Sequence, residues 1–217
     1  MNRRDFSSVL LASGAGASML LVGAAAQAQT PVPGEGREYA RVDPPQPVSN
    51  PAKVEVLEFF TYACPHCAAF EPIVGPWARS LPADVVFRRV PVSFLFNAEN
   101  FSRTYYSLET IGMVDAMQAK IFNAVHVDKQ RLDKPEDVAA LVAKNGGDAA
   151  KFLAAFKSFS VATSVARAKK LQADYKVEAV PTLTIQGRYY TSPSQAGGSP
   201  QALAVTAALI DMARKKG

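Results

Sequence analysis

The chain has 217 residues, of which 48% are hydrophobic and 20% are charged, a composition typical of a globular protein with one or two domains. Its formal net charge of +5 is spread along the sequence, and no run of five or more like charges occurs. Nucleic-acid binding, which needs a basic stripe or a recognisable motif, is therefore not indicated.

An export signal is predicted over residues 1–28. Arg3-Arg4 give it a positive start, residues 9–22 form an apolar stretch diluted by Gly and Ser, and an Ala-Gln-Ala cleavage motif ends at Ala28. The apolar stretch is too short and too weak for a permanent membrane anchor. The arginine pair is also typical of a twin-arginine signal, so ordinary secretion and twin-arginine export both stay open.

The first predicted elements are strands and a helix. Residues 37–42 form a possible short edge strand, and residues 53–60 form a buried strand in which alternation places Glu58 among apolar residues. A helix is predicted to begin at Pro65, because the first helical position needs no backbone donor. Cys64 then occupies the N-cap, where free N–H groups and the positive end of the helix converge.

Two features interrupt this first helix before its expected end near Ser80. Pro72 should kink it, and Gly75-Pro76 should either kink it again or end it. A strand over residues 85–92 follows, and the pattern is then helical over residues 97–160.

The C-terminal part returns to mixed structure. A longer helix over residues 161–175 precedes a β-hairpin around Gly187. Residues 192–198 are predicted to form a loop, and Ser199 to cap a final helix. The order of elements indicates an α/β protein with a mixed sheet, interrupted by a helical block.

Both cysteines of the chain lie in one Cys-Pro-His-Cys segment, residues 64–67. A static disulfide across two intervening residues closes a very small loop and removes little chain entropy. A zinc site would need two further ligands, and the other histidine, His126, is isolated and is predicted to lie on the surface. A redox-active pair is therefore favoured, with a structural bridge and a metal site as alternatives.

The segment Val56–Phe60 followed by Cys-Pro-His-Cys, a helical insertion, and Val180-Pro181 before a hairpin resembles the DsbA family of bacterial periplasmic thiol:disulfide oxidoreductases. The likeness covers residues 39–216. It implies a thioredoxin-like fold, with a mixed central sheet flanked by helices.

The resemblance also implies a domain organisation. Residues 39–94 and 161–217 would form the thioredoxin-like domain, and residues 95–160 an inserted, all-helical domain.

The same resemblance implies a redox-active disulfide between Cys64 and Cys67. Cys64 would be the nucleophile and Cys67 the resolving thiol. Pro65 and His66 complete the motif, and the His66 ring would donate an N–H to the sulfur of Cys64; the alternative for His66 is an exposed spacer. Stabilising the Cys64 thiolate favours the dithiol form and so makes the disulfide oxidising.

Further positions on the strands and before the hairpin match the family pattern. Glu58 would accept and donate the proton of Cys67; the alternative is a structural acid paired with Arg89. Pro181 matches a cis-proline that leaves the backbone of Val180 free to pair with an extended substrate, and the alternative is an ordinary trans proline.

The resemblance implies a monomeric periplasmic dithiol oxidase without a cofactor or metal. It would donate its disulfide to exported proteins that carry free thiols, through a mixed disulfide at Cys64, and a DsbB-type quinone-linked membrane oxidase would re-oxidise it. The alternatives are a disulfide isomerase or reductant on the same fold and a non-catalytic metal-binding module. Dimeric isomerases carry an added N-terminal domain, for which about ten residues after the predicted cleavage site leave no room.

Overall fold

The computed structural model of the protein describes residues 33–215, so the predicted export signal over residues 1–28 lies outside the described residues. No helix within residues 33–215 is both long and apolar enough to cross a membrane. The elements, in chain order, are β1 (Ala40–Arg41), β2 (Val54–Phe60), α1 (Pro65–Arg79), β3 (Val85–Pro91), α2 (Ala98–Thr110), α3 (Val114–His126), α4 (Pro135–Lys144), α5 (Ala149–Lys157), α6 (Phe159–Asp174), β4 (Thr182–Ile185), β5 (Tyr189–Thr191), α7 (Pro193–Ala196) and α8 (Ser199–Arg214).

The strands form one mixed sheet in the order β1-β5-β4-β2-β3. Strand β2 is parallel to β3 and antiparallel to β4, and all seven of its residues are buried. Helix α1 connects the parallel pair, because parallel strands need a long crossover. The mixed sheet flanked by helices confirms the predicted architecture, and the start of α1 lies at the end of β2.

Helices α2–α5 follow β3 and precede α6, at the position predicted for the helical insertion. Their apolar side chains form one core with the end of β2 and the start of α1, and this core includes both cysteines. The predicted domain boundaries at residues 95 and 160 stay a prediction.

Helix α1 continues through both of its prolines and ends at Arg79, so the alternative that Gly75-Pro76 ends it is wrong. Each proline removes one backbone donor. Burial of one face of the helix, including Phe70 and Val74, outweighs that loss, because packing supplies most of the stability of a helix.

The predicted loop over residues 192–198 contains a short helix, α7. Its first turn is stabilised by Ser192, whose hydroxyl accepts a hydrogen bond from the Gln195 N–H at 3.1 Å, and by Pro193 at the first helical position. The prediction that Ser199 caps the final helix is also wrong: Gly198 occupies the N-cap, and Ser199 is already helical.

Capping residues mark where helices α5 and α6 begin. Asp148 caps α5, with its carboxylate accepting from the Lys151 N–H at 3.0 Å. Ser158 ends α5 and caps α6, accepting from the Val161 N–H at 3.2 Å. Helix α6 therefore begins two residues earlier than predicted, because a serine hydroxyl satisfies an otherwise free donor.

Gly187 in the β4–β5 hairpin is a position where we expect alanine to be strongly destabilising. Its φ is +63°, and a Cβ atom there would lie 1.9 Å from the carbonyl oxygen of Gln46. We expect Gly187→Ala to lower the free energy of unfolding by about 2–4 kcal/mol, from left-handed backbone strain and overpacking together. Urea unfolding measures this loss.

Gly112 provides the matched control, because its φ is +69° but no atom lies within 4 Å of an added Cβ. Gly112→Ala should lose only the backbone contribution, about 1–2 kcal/mol. Equal losses in the two variants would contradict the role assigned to the contact with Gln46.

Candidate active site

A hydrogen-bonded turn connects β2 to α1. The Cys64 N–H donates to the Thr61 carbonyl at 3.1 Å, and the Ala63 N–H donates to the Thr61 hydroxyl at 3.3 Å. Cys64 then adopts an extended conformation as the N-cap, and Pro65 is the first helical residue. The structure thus places Cys64 where the sequence predicts it.

The two cysteines are both thiols in this structure and differ in their surroundings. Cys64 is 5% exposed and Cys67 is 1% exposed. The Cys67 N–H donates to the Cys64 sulfur at 3.4 Å, as expected of a capping side chain. The Cys64 thiol in turn donates to the Val180 carbonyl at 3.5 Å.

These contacts shift the pKa values of the two thiols in opposite directions. The Cys67 thiol, the backbone N–H groups of Cys67 and His66, and the charge of His66 lower the pKa of Cys64 to about 6 against the effect of burial. Burial raises the pKa of Cys67 far above its usual range. At neutral pH, Cys64 is therefore the thiolate and Cys67 the thiol, which is the division needed between an attacking and a resolving sulfur.

The other predicted site residues near these sulfurs are Pro65, His66, Val180 and Pro181. Pro65 and His66 are exposed, and within the described residues the His66 ring makes no hydrogen bond to Cys64. The Val180–Pro181 peptide bond is cis, and the Val180 carbonyl faces the thiol of Cys64. The fold thus brings together residues separated by 116 positions in the sequence.

A buried group of charges lies behind the cysteines. Arg89 Nε is 2.9 Å from a carboxylate oxygen of Glu58, and Arg89 Nη2 is 2.9 Å from a carboxylate oxygen of Glu71. Burial and the neighbouring Glu71 raise the pKa of Glu58 to about 7, although Arg89 opposes the rise. The structure therefore shows the predicted pair of Glu58 with Arg89 and also gives this acid a pKa suited to proton transfer near neutral pH.

Glu71 is a part of this group that the sequence analysis did not identify. It lies four residues after Cys67 on α1 and shares the buried face of that helix. The helical spacing from Cys67 was the signal that would have found it. Burial raises the pKa of Glu71 as well, so the two carboxylates compete for one guanidinium.

His126 does not lie free on the surface, so that prediction is wrong. Its ring is half-buried, and Nε2 lies 2.8 Å from the carbonyl oxygen of Tyr62. The end of α3 packs against the β2–α1 turn through the ring contact between Tyr62 and Phe122, which draws His126 inward.

Within the described part of the chain, the cysteines belong neither to a metal-binding group nor to the cavity between α6, β4 and β5. Among residues 33–215, no group of three or more His, Cys, Asp or Glu side chains is arranged to hold a metal ion. A cavity of about 430 Å³ lies elsewhere, between α6, β4 and β5, and neither cysteine lines it. The cysteines instead lie at the N-terminal end of α1, where the Cys64 sulfur contacts the Val180 carbonyl.

Comparisons with known proteins place this site in a family. Residues 49–203 match the family described as thioredoxin. The chain is 40% identical over 207 residues to the thiol:disulfide interchange protein DsbA of Bordetella parapertussis, which covers 95% of this chain and 96% of the relative. It is 39% identical over 196 residues to DsbA of Pseudomonas aeruginosa, covering 89% of this chain and 91% of that protein.

Solved structures agree with the sequence relatives. The crystal structure of Pseudomonas aeruginosa DsbA matches with a TM-score of 0.81 and 38% identity, covering 84% of this chain and 95% of that one. The structure of the oxidoreductase DsbA from Xylella fastidiosa matches with a TM-score of 0.78 and 26% identity, over 85% of this chain and 99% of that one. The chain therefore belongs to the DsbA family and is a thiol:disulfide oxidoreductase with a thioredoxin-like fold.

Proposed function

We propose that this protein is a periplasmic dithiol oxidase that donates a Cys64–Cys67 disulfide to exported proteins carrying free thiols. The observation that carries the proposal is the position of the Cys64 sulfur at the N-cap of α1, where it accepts the Cys67 N–H and has a pKa of about 6. A stabilised thiolate favours the reduced enzyme, so the disulfide form is readily reduced by a substrate dithiol.

The reaction proceeds by two thiol–disulfide exchanges. A substrate thiolate attacks the Cys64 sulfur, a sulfur–sulfur bond forms between substrate and Cys64, and the Cys64–Cys67 bond breaks to release the Cys67 thiolate. A second substrate thiolate then attacks the substrate sulfur of the mixed disulfide and releases the Cys64 thiolate. Two electrons pass to the enzyme, and the substrate leaves with a disulfide.

Glu58 serves the proton balance of this cycle. The Cys67 thiolate cannot persist in its buried site, because its pKa lies far above neutral pH. Glu58, with a pKa of about 7, supplies a proton to Cys67 on reduction and takes it back on re-oxidation. Arg89 holds the carboxylate in place through a 2.9 Å ion pair.

Val180 and Pro181 provide the polypeptide contact. When Cys64 is protonated, its thiol donates to the Val180 carbonyl, and this carbonyl is free once Cys64 is a thiolate or part of a disulfide. An extended substrate can then pair with the backbone beside the reactive sulfur.

The wider setting follows the family. We propose that the protein is a monomer without a cofactor and that a DsbB-type quinone-linked membrane oxidase re-oxidises it. Either a general secretory or a twin-arginine signal would deliver it to the periplasm.

The pH dependence of alkylation tests this function. We expect the rate at Cys64 to have a midpoint near pH 6, compared with about 8.5 for free cysteine. Because the pKa is lowered on folding, the stabilisation of the reduced form is complete above pH 8.5 and disappears as the pH falls through 6. At pH 7, which is one unit above the folded pKa, this stabilisation amounts to about 1.4 kcal/mol, since one pKa unit is worth about 1.36 kcal/mol.

Equilibration with a glutathione buffer provides the second measurement. An oxidase should stay largely reduced in a buffer that keeps thioredoxin-like reductants oxidised. An alkylation midpoint near 8.5, or a dominant disulfide form at that equilibrium, would contradict the assignment.

A further inference from the structure

Two side chains of α3 hold Tyr62, the residue two positions before Cys64. His126 Nε2 lies 2.8 Å from the Tyr62 carbonyl oxygen. A carbonyl oxygen can only accept, so Nε2 must carry the proton, and this contact selects the ring tautomer. The Tyr62 hydroxyl donates to Gln118 Oε1 at 2.6 Å.

Aromatic packing surrounds the Tyr62 side chain. The ring is fully buried and makes edge contacts with Phe60, Phe101 and Phe122. Gln118 and His126 lie eight residues apart on α3, about two helical turns. One helix therefore holds both the backbone of Tyr62 and the far end of its side chain.

The contact with His126 determines the orientation of the peptide group that leads into Cys64. The carbonyl of the Tyr62–Ala63 peptide accepts from His126, and its N–H donates to the Thr61 hydroxyl at 3.3 Å. This peptide group is therefore hydrogen-bonded at both ends. The next N–H, that of Cys64, closes the turn on the Thr61 carbonyl at 3.1 Å.

The position of the Cys64 sulfur depends on this turn. The sulfur accepts the Cys67 N–H at 3.4 Å, and because a hydrogen bond weakens as its donor angle departs from linear, a rotation of Cys64 would weaken it. The N-terminal end of a helix acts only over its first turn, and its effect on a thiol is equally sensitive to direction.

We propose that His126 and Gln118 are positioning residues for Cys64, acting through Tyr62, so that the helical segment helps to set the acidity of the attacking thiol. This inference rests on the proposed function, in which Cys64 is the nucleophile. It gives the helices between β3 and α6 a part in the chemistry besides packing.

The variant His126→Leu tests the proposal. Leucine keeps apolar bulk but cannot donate to the Tyr62 carbonyl. We expect the pKa of Cys64 to rise by about half to one unit, because one hydrogen bond to the turn is lost. His126→Gln, which restores an N–H donor, should bring the pKa back to within a few tenths of the wild-type value.

The measurement is the thiolate absorbance of Cys64 against pH, with urea unfolding of each variant in parallel. Asn123→Leu is the matched control, because Asn123 is an exposed residue of the same helix and takes no part in either side-chain hydrogen bond to Tyr62. We expect this control to leave the Cys64 pKa unchanged. A merely structural role for His126 would lower stability without moving that pKa.

The outcomes separate this inference from the proposed function. A wild-type midpoint near 6 that is unchanged in His126→Leu would overturn only the positioning role. A wild-type midpoint near 8.5 would overturn both, since no stabilised thiolate would exist to be positioned. If His126→Leu does not fold, Tyr62→Phe carries the test, because it removes only the bond to Gln118; an unchanged Cys64 pKa in that variant would contradict the proposal.

Discussion

Replacing Cys67 with serine is expected to abolish dithiol oxidation and leave a protein that holds its reaction partner covalently. A single thiol cannot store a disulfide, so turnover of a dithiol substrate should fall to background. Cys64 keeps its place at the helix N-terminus and still attacks disulfides. Without Cys67, no neighbouring thiol displaces the partner from the mixed disulfide.

Oxidised glutathione and mass spectrometry make this measurable. We expect Cys67→Ser to gain one glutathione per chain at pH 7. Cys64→Ser is the matched control and should gain almost none, because Cys67 is 1% exposed and burial keeps it protonated. Comparable modification of the two variants would show that the assignment of nucleophile and resolving thiol is wrong.

Replacing Arg89 with methionine is expected to cause the largest loss of stability. The variant keeps two buried carboxylates, Glu58 and Glu71, and removes the guanidinium that contacts both at 2.9 Å. Removing one partner from a buried ion pair typically costs about 3–5 kcal/mol. Unfolding in urea at pH 8 should show a loss of this size.

The loss should depend on pH in a defined direction. The pKa of Glu58 is raised on folding to about 7. The destabilisation by ionised Glu58 is therefore absent below the pKa that this group has in the unfolded chain, and it is complete above pH 7. Without Arg89 the pKa of Glu58 rises further. Arg89→Met should therefore be close to wild-type stability near pH 4 and become progressively less stable as the pH rises.

A neutral version of the same group is the control. In a triple variant that adds Glu58→Gln and Glu71→Gln to Arg89→Met, no buried charge remains, and most of the stability at pH 8 should return. If Arg89→Met alone is as stable as the wild type at pH 8, the ion pairs do not hold this region together.

Sequence reasoning was most successful where local rules determine structure. A proline at the first helical position fixes where α1 begins, so Cys64 could be placed at the N-cap from the sequence alone. The strand pattern similarly indicated that Glu58 is buried, and Arg89, on the adjacent strand and at a basic position of the family, was named as its partner. The cis peptide at Pro181 was expected only from the resemblance.

The residues that were missed depend on contacts between distant parts of the chain. His126 and Gln118 are 64 and 56 positions from Tyr62, and neither stands out within its own helix. Only the packing of α3 against the β2–α1 turn makes them partners of the active site. A lone histidine near a helix end is ordinarily a surface residue, which is why His126 was placed there.

The burial of Cys67 limits the order in which other proteins can react with the enzyme. Because Cys67 is shielded, in the proposed cycle both the substrate polypeptide and the re-oxidising membrane protein would react at Cys64. Binding of one would therefore exclude binding of the other, and each catalytic cycle would alternate between reduction by the substrate and re-oxidation by the membrane protein. The enzyme would therefore react with the two proteins in separate steps and follow the ping-pong kinetics that covalent intermediates produce.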